Sequence, residues 1–331
     1  MKTLKDIPLS ILELAPMRLG EGAGDTLSRM LDAARHAEQC GINRYWLAEH
    51  HNMQGIASSA TSVLIGAVAA CTERMRVGSG GIMLPNHPPL VIAEQFGTLD
   101  ALYPGRIDLG LGRAPGTDPL TSRALRRDDM RAEHYREEVE SLQRFLGPAD
   151  PVTRVRAVPG EDSNVAIWLL GSSLYSAQLA AEKGLPYAFA GHFAPRHAYE
   201  AVSLYKERFQ PSDALEKPYV MLGVPLIAAE TDEEAHYLAT SSQQRVLSLM
   251  RGEPLWLRPP VQSMEGLWTE QERASVEAFL GLSIIGGPVT IKSKLEHLIR
   301  EFEVDELMFT NDLYDQEQRK GALSILVSCR S

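Results

Sequence analysis

The sequence predicts a single (β/α)8 barrel. Eight short apolar runs alternate with longer amphipathic ones along the 331 residues, the pattern of a parallel sheet with crossover helices. Eight such strands favour closure into a barrel over an open, doubly wound sheet. No Pro/Gly/Ser-rich linker divides the chain and no internal repeat is visible, so residues 1–331 read as one domain.

The elements follow in order. Pro8–Leu12 reads as the first strand. Asp25–Cys40 is a helix, with Leu27, Met30, Leu31, Ala34 and Ala37 at three- and four-residue spacing and Gly41 as its stop. Arg44–Ala48 is the second strand and Ala57–Thr72 a helix rich in small residues. Met75–Ser79 and Arg106–Leu111 are the third and fourth strands, around a helix at Leu90–Leu102. A long charged helix is predicted at Arg126–Leu146. Val165–Leu170 and Pro186–Ala190 are strands five and six, flanking a helix at Ala177–Lys183. Tyr219–Ala228 is strand seven, Val289–Arg300 a helix and Glu306–Thr310 strand eight. Two stretches exceed a minimal barrel. Gly147–Asn164, rich in proline and charge, reads as a hairpin or loop before strand five. Gly252–Gly287, with Trp256 and Trp268, reads as an insertion after strand seven, either a lid over the barrel mouth or a cover for its flank.

With 43 acidic against 33 basic residues the net charge is −10, which disfavours phosphate backbones and anionic lipid as partners. The longest uncharged stretch, Asn52–Thr72, is apolar only from Val63 to Cys71, too short for roughly 30 Å of hydrocarbon. The N-terminal residues do not form a signal peptide. Cys40, Cys71 and Cys329 form no C-x-x-C motif, as expected of free thiols in a reducing cytoplasm.

Barrel ligands bind at the C-terminal ends of the strands, so the chemistry is sought there. Glu49-His50-His51 follows strand two. Histidine titrates near neutrality and suits proton transfer. Neighbours on an extended segment point to opposite sides, which argues against both histidines holding one metal ion. Ser79-Gly80-Gly81 follows strand three, where glycine lets a flat ligand approach the backbone. Gly171-Ser172-Ser173 with Ser176 opens a helix whose free N–H groups suit an anion, although an ordinary serine cap fits equally. Gly110-Leu111-Gly112-Arg113 lacks the remainder of a dinucleotide fingerprint. Glu13, Met83 and His192 stand at other strand ends as pocket candidates.

Several of these segments, in order, resemble the bacterial luciferase-like flavin monooxygenases. They are Tyr45–Asn52, Val77–Pro85 with His87-Pro88, Ala93-Glu94-Gln95, Leu99-Asp100 with Gly105-Arg106, Gly112-Arg113, Ser122–Leu125 and Ala180–Pro186. The likeness spans about residues 8–325 and is densest in the first 190. It implies FMN in the barrel mouth, used in reduced form with O2 through a C4a-peroxyflavin to oxidise a small organic substrate, an aldehyde being one candidate. A flavin reductase would supply the reduced FMN. The resemblance places a cis peptide at Gly80–Gly81, the catalytic histidine at His50, and phosphate contacts at Arg113, Arg123, Ser173 and Ser176. It also implies a homodimer through the helices after strands two and three. There Ala60, Ser62, Gly66, Ala67 and Ala70 permit close contact or ordinary barrel packing.

Two departures matter. Gly112 stands where the light-emitting subunit has a reactive cysteine, and Ser172 where it has glutamate, which sets light emission apart from this chain. Alternatives are an F420-dependent oxidoreductase, for which Arg126, Arg127 and Arg131 could meet the cofactor tail, and a flavin-binding protein without turnover.

Overall fold

The computed structural model describes residues 2–114, 117–125, 133–149, 152–163 and 165–330. The first half holds β1 (Leu9–Glu13), α1 (Ala23–Gln39), β2 (Arg44–Leu47), α2 (Thr61–Ala70), β3 (Arg76–Met83), α3 (Pro89–Leu102), β4 (Ile107–Gly112), α4 (Pro119–Ala124) and α5 (Tyr135–Leu146). The second holds β5 (Ala166–Gly171), α6 (Leu174–Lys183), β6 (Tyr187–Phe189), α7 (Ala198–Arg208), β7 (Val220–Ala228), α8 (Asp232–Arg251), α9 (Glu270–Phe279), β8 (Ile284–Gly286), α10 (Pro288–Phe302), β9 (Glu306–Thr310) and α11 (Gln316–Ser328).

Strands β1 to β7 pair in sequence order, β9 pairs with both β7 and β1, and every pairing is parallel. The eight strands close into the predicted barrel. A ninth, β8, lies in the stretch read as an insertion and adds to the far end of β7, with Leu226 opposite Ile284. Two sequence expectations need correcting. Strand β3 runs on through Gly80 and Gly81 to Met83, with a register shift against β4 between Gly80 and Ile82. Helix α2 is shorter than predicted, because residues before it are tied into extended backbone: Ala57 N donates to Ala15 O, and Ser58 O accepts from His50 N. The start of the helix predicted at Arg126 lies outside the described residues.

Alternation along the strands sorts the core. On β1, Leu9 and Ile11 face the helices, whereas Leu12 points inward with Trp46, Trp168, Met221 and Met308 to fill the barrel. Trp46 and Trp168 meet edge to face at 5.1 Å. Beneath them the barrel floor is charged. Arg44 pairs with Asp108 at 2.7 Å and Glu306 at 3.1 Å, and Arg76 with Asp108 at 2.6 Å. Trp46 Nε1 donates to Asp108 and Tyr219 OH to Glu306. Because these buried charges are mutually satisfied, the floor is closed, and open space remains at the C-terminal end of the strands.

The segment after α8 closes over that end. Leu255 N donates to Gln54 O at 2.7 Å, and Leu257 N to Met17 O at 2.8 Å. A Cβ at Gly55 would lie 2.3 Å from the Leu255 carbonyl carbon, so glycine is required where the loops cross. The stretch before β5 is a loop with no strand among its described residues. It packs Gly160 against Gly97 of α3, where a Cβ would sit 2.1 Å from Gly160 Cα.

Candidate active site

A cavity of about 700 Å³ opens at the C-terminal ends of the barrel strands. Part of its floor is bare backbone. Gly80, Gly81 and Gly112 line it side by side, and the Gly80–Gly81 peptide is cis. A Cβ on Gly81 would lie 2.8 Å from Gly110 O, and one on Gly112 2.8 Å from Met83 Sδ. The register shift of β3 against β4 falls at this bare backbone. Ser79 does not line the cavity. Its buried hydroxyl donates to Gly110 O at 2.8 Å and ties β3 to β4.

One wall is cationic. Arg113 follows β4 and lies over the Tyr175 ring, 4.2 Å from its centroid. Gly171, Ser172, Ser173 and Ser176 line the same cavity at the start of α6. Ser173 is the N-cap, yet its hydroxyl makes no cap bond, so the amides of the first turn and this hydroxyl stay available. A Cβ at Gly171 would lie 2.3 Å from Ser176 Oγ. Arg123, in contrast, stands exposed on α4 and is absent from the lining.

The two adjacent histidines part, as the extended geometry required. His50 lines the cavity. His51 turns away and meets Glu49 Oε1 at 2.9 Å, an oxygen that His87 Nε2 also reaches at 2.8 Å. Glu49 is buried and also accepts from Met83 N at 3.2 Å. Burial alone would raise its pKa, but the hydrogen bonds and charges of His51 and His87 hold it at about 2. These three residues bring donor atoms within 4.8 Å of one another, and hydrogen bonds to a carboxylate account for the arrangement.

Among the remaining candidates, Met83 and His192 line the cavity. Burial pushes the His192 pKa down to about 4 against the opposing charge of Asp312, while His50 adds to the depression. His192 is therefore neutral at pH 7. Glu13 is a correction. It ends β1 fully buried, but its carboxylate accepts from Arg319 at 2.7 Å, Ala15 N at 2.6 Å and Tyr45 OH, and it does not line the cavity. Trp256 and Trp268 do not line it either. Trp268 packs on a small cluster with Val246 and Val276, and the insertion contributes Leu255, Phe279 and Leu280 instead.

Sequence reasoning missed His87, Arg245 and Asp312. The first lies in a segment noted only as a motif. Arg245 has no local signature; Asp312 follows the last barrel strand, an end where site residues are sought, but its pairing with Arg245 depends on where α8 meets the barrel.

The family model for luciferase-like monooxygenases matches residues 9–306. The chain belongs to the luciferase-like monooxygenase family. A luciferase-like monooxygenase of Escherichia coli strain K12 is 50% identical over 329 residues, covering 99% of this chain and 98% of that protein. The N-acetyl-S-alkylcysteine monooxygenase of Bacillus subtilis is 38% identical over 250 residues, 73% of this chain and 74% of that one. Among solved structures, apo-MsnO8 superposes with a TM-score of 0.86 at 30% identity, covering 98% of both chains. More distant structures share the fold alone. The oxygenating constituent of a Pseudomonas putida 3,6-diketocamphane monooxygenase, in complex with FMN, gives a TM-score of 0.74 at 18% identity over 97% of both chains. An F420-dependent secondary alcohol dehydrogenase gives 0.73 at 13% identity, over 98% of this chain and 99% of that one. Within this luciferase-like family the chain is a monooxygenase-type oxidoreductase built on a barrel, and among its described residues no helix is long and apolar enough to cross a membrane.

Proposed function

We propose that this luciferase-like protein is an FMN-dependent monooxygenase that uses reduced FMN and O2 to oxidise a small organic substrate. One observation carries the reading: a single cavity joins the glycine floor of Gly80, Gly81 and Gly112 to Arg113 and the start of α6. A flat ring with a phosphate tail matches that combination, and the floor stays bare because a Cβ at Gly80, Gly81 or Gly112 would run into Leu12, Gly110 or Met83.

Arg113, Ser173, Ser176 and the first-turn amides of α6 would hold the phosphate. The glycines would carry the ring, with Gly171 and Ser172 beside it. Bound reduced FMN supplies the electrons that activate O2. His50, at the cavity surface, would give or take a proton at a ring nitrogen, and its backbone is fixed by the bond from its N–H to Ser58 O at 2.9 Å. Met53, Ile56, Leu255, Phe279 and Leu280 make the mouth apolar and exclude water.

A separate reductase would deliver reduced FMN, in a cytoplasm that keeps Cys40, Cys71 and Cys329 as the free thiols observed. We also infer a homodimer through α2 and α3, whose Val63, Val91 and Leu102 are exposed. Light scattering that gives a monomer mass would refute it.

Fluorescence titration with FMN and with F420 tests the cofactor. FMN binding at least tenfold tighter is expected, and the reverse order would make this an F420 enzyme. Stopped-flow mixing of the reduced FMN complex with O2 tests the chemistry. Reoxidation as fast as that of free reduced FMN would leave a flavin-binding protein without turnover.

A further inference from the structure

Arg245 and Asp312 line the same cavity and have no part in the flavin reading above. Helix α8 faces the cavity with Ser242, Arg245, Val246 and Leu249, spaced as neighbours on one helical stripe. The Arg245 side chain is 8% exposed, and its Nη1 pairs with a carboxylate oxygen of Asp312. Its Nε is buried with no hydrogen-bond partner among the described residues. Leaving a buried donor unpaired is costly, so an entering acceptor has something to gain there. With Nη1 taken by Asp312, the edge formed by Nε and Nη2 remains, and two parallel N–H groups match the two oxygens of a carboxylate.

The placement is distinct from the phosphate wall. Arg113 follows β4, whereas Arg245 stands on the helix after β7, with β5 and β6 between those strands. These two are the only arginines or lysines among the described lining residues. The same cavity is also lined by apolar side chains, among them Leu226, Ile227, Val246, Leu249 and Leu280.

We propose that Arg245, oriented by Asp312, binds a carboxylate on the substrate, which is therefore an organic acid with an apolar body. The proposal rests on reading this cavity as the flavin monooxygenase site and specifies its substrate class.

Calorimetric titration of the FMN-loaded protein at pH 8 with octanoate and with octanamide tests it. Octanoate is expected to bind at least tenfold more tightly. Arg245→Met should lower octanoate affinity at least tenfold and leave octanamide and FMN affinities within twofold. Arg245→Lys should keep part of the preference, because the charge stays while the fork is lost. Equal binding of the two probes by the unaltered protein, or no octanoate binding, overturns the proposal even if Arg245→Met fails to fold. Loss of FMN affinity in Arg245→Met also overturns it, by making Arg245 a flavin contact. Repeating the titrations without FMN separates the two ideas: a protein that takes no FMN but prefers octanoate loses the cofactor reading, not the acid-binding site.

Discussion

His51 Nε2 and His87 Nε2 approach one oxygen of Glu49, at 2.9 and 2.8 Å. One histidine follows β2 and the other follows β3, so the buried carboxylate ties together the two loops that flank His50 and the glycine floor.

A depressed carboxylate pKa contributes stability above its unfolded value, and that contribution is lost as pH falls through the folded value. The drop from 4.5 to about 2 at Glu49 corresponds to about 3 kcal/mol. Glu49→Gln should therefore be less stable than the unaltered protein at pH 7 by up to that amount. Denaturant melts should show the gap narrowing between about pH 4.5 and pH 2. A gap that does not depend on pH would contradict the assignment.

His192 should stay neutral through most of the acid range. Burial lowers its pKa to about 4, so the unfolded chain takes up a proton there before the folded one does. Stability should rise with pH from about 4 to about 6.5, and His192→Gln should flatten that slope. Histidine ring resonances in an NMR titration measure the midpoint directly. A midpoint near 6.5 would mean that the ring is solvated.

Gly81→Ala should damage both fold and site. The new Cβ would lie 2.8 Å from Gly110 O and 3.1 Å from Gly110 C, backbone atoms that cannot swing aside. Overpacking of this kind costs about 1–3 kcal/mol. Unfolding in urea should show that loss, and FMN titration a weaker Kd. Unchanged values in both would show that the floor yields.

Arg113→Ala and His50→Ala should separate binding from chemistry. Losing the arginine should raise the Kd for FMN about tenfold or more, since a charge-assisted contact to phosphate is worth roughly 1.5–3 kcal/mol. His50→Ala should keep FMN affinity and abolish oxygenation of a true substrate. If instead turnover survives in His50→Ala, proton transfer belongs to another group.

How much was legible follows from sequence distance. The first strand, the α1 stripe and the small residues Ser79-Gly80-Gly81 are local patterns; the strand and the stripe landed within a few residues of their elements, whereas the small residues fell inside β3 rather than after it. The opposed directions of His50 and His51 also followed from the alternation of an extended chain. Glu13 misled, because its position after an apolar run suited a pocket residue. Its actual partner, Arg319, lies 306 residues away on α11.

The alternation of apolar runs by itself determined the eight-stranded barrel, and the motifs along the chain pointed to the family and to the end of the barrel where the cavity opens. Only the tertiary structure decided which polar residues face the cavity. Barrel closure puts Arg44 against Glu306, and the return of α8 puts Arg245 against Asp312, 67 residues on. Such pairs depend on where distant backbone segments meet, and a buried charge is stable only once its partner arrives. Local pattern records which way a side chain points along its own strand or helix, but not what it will find there.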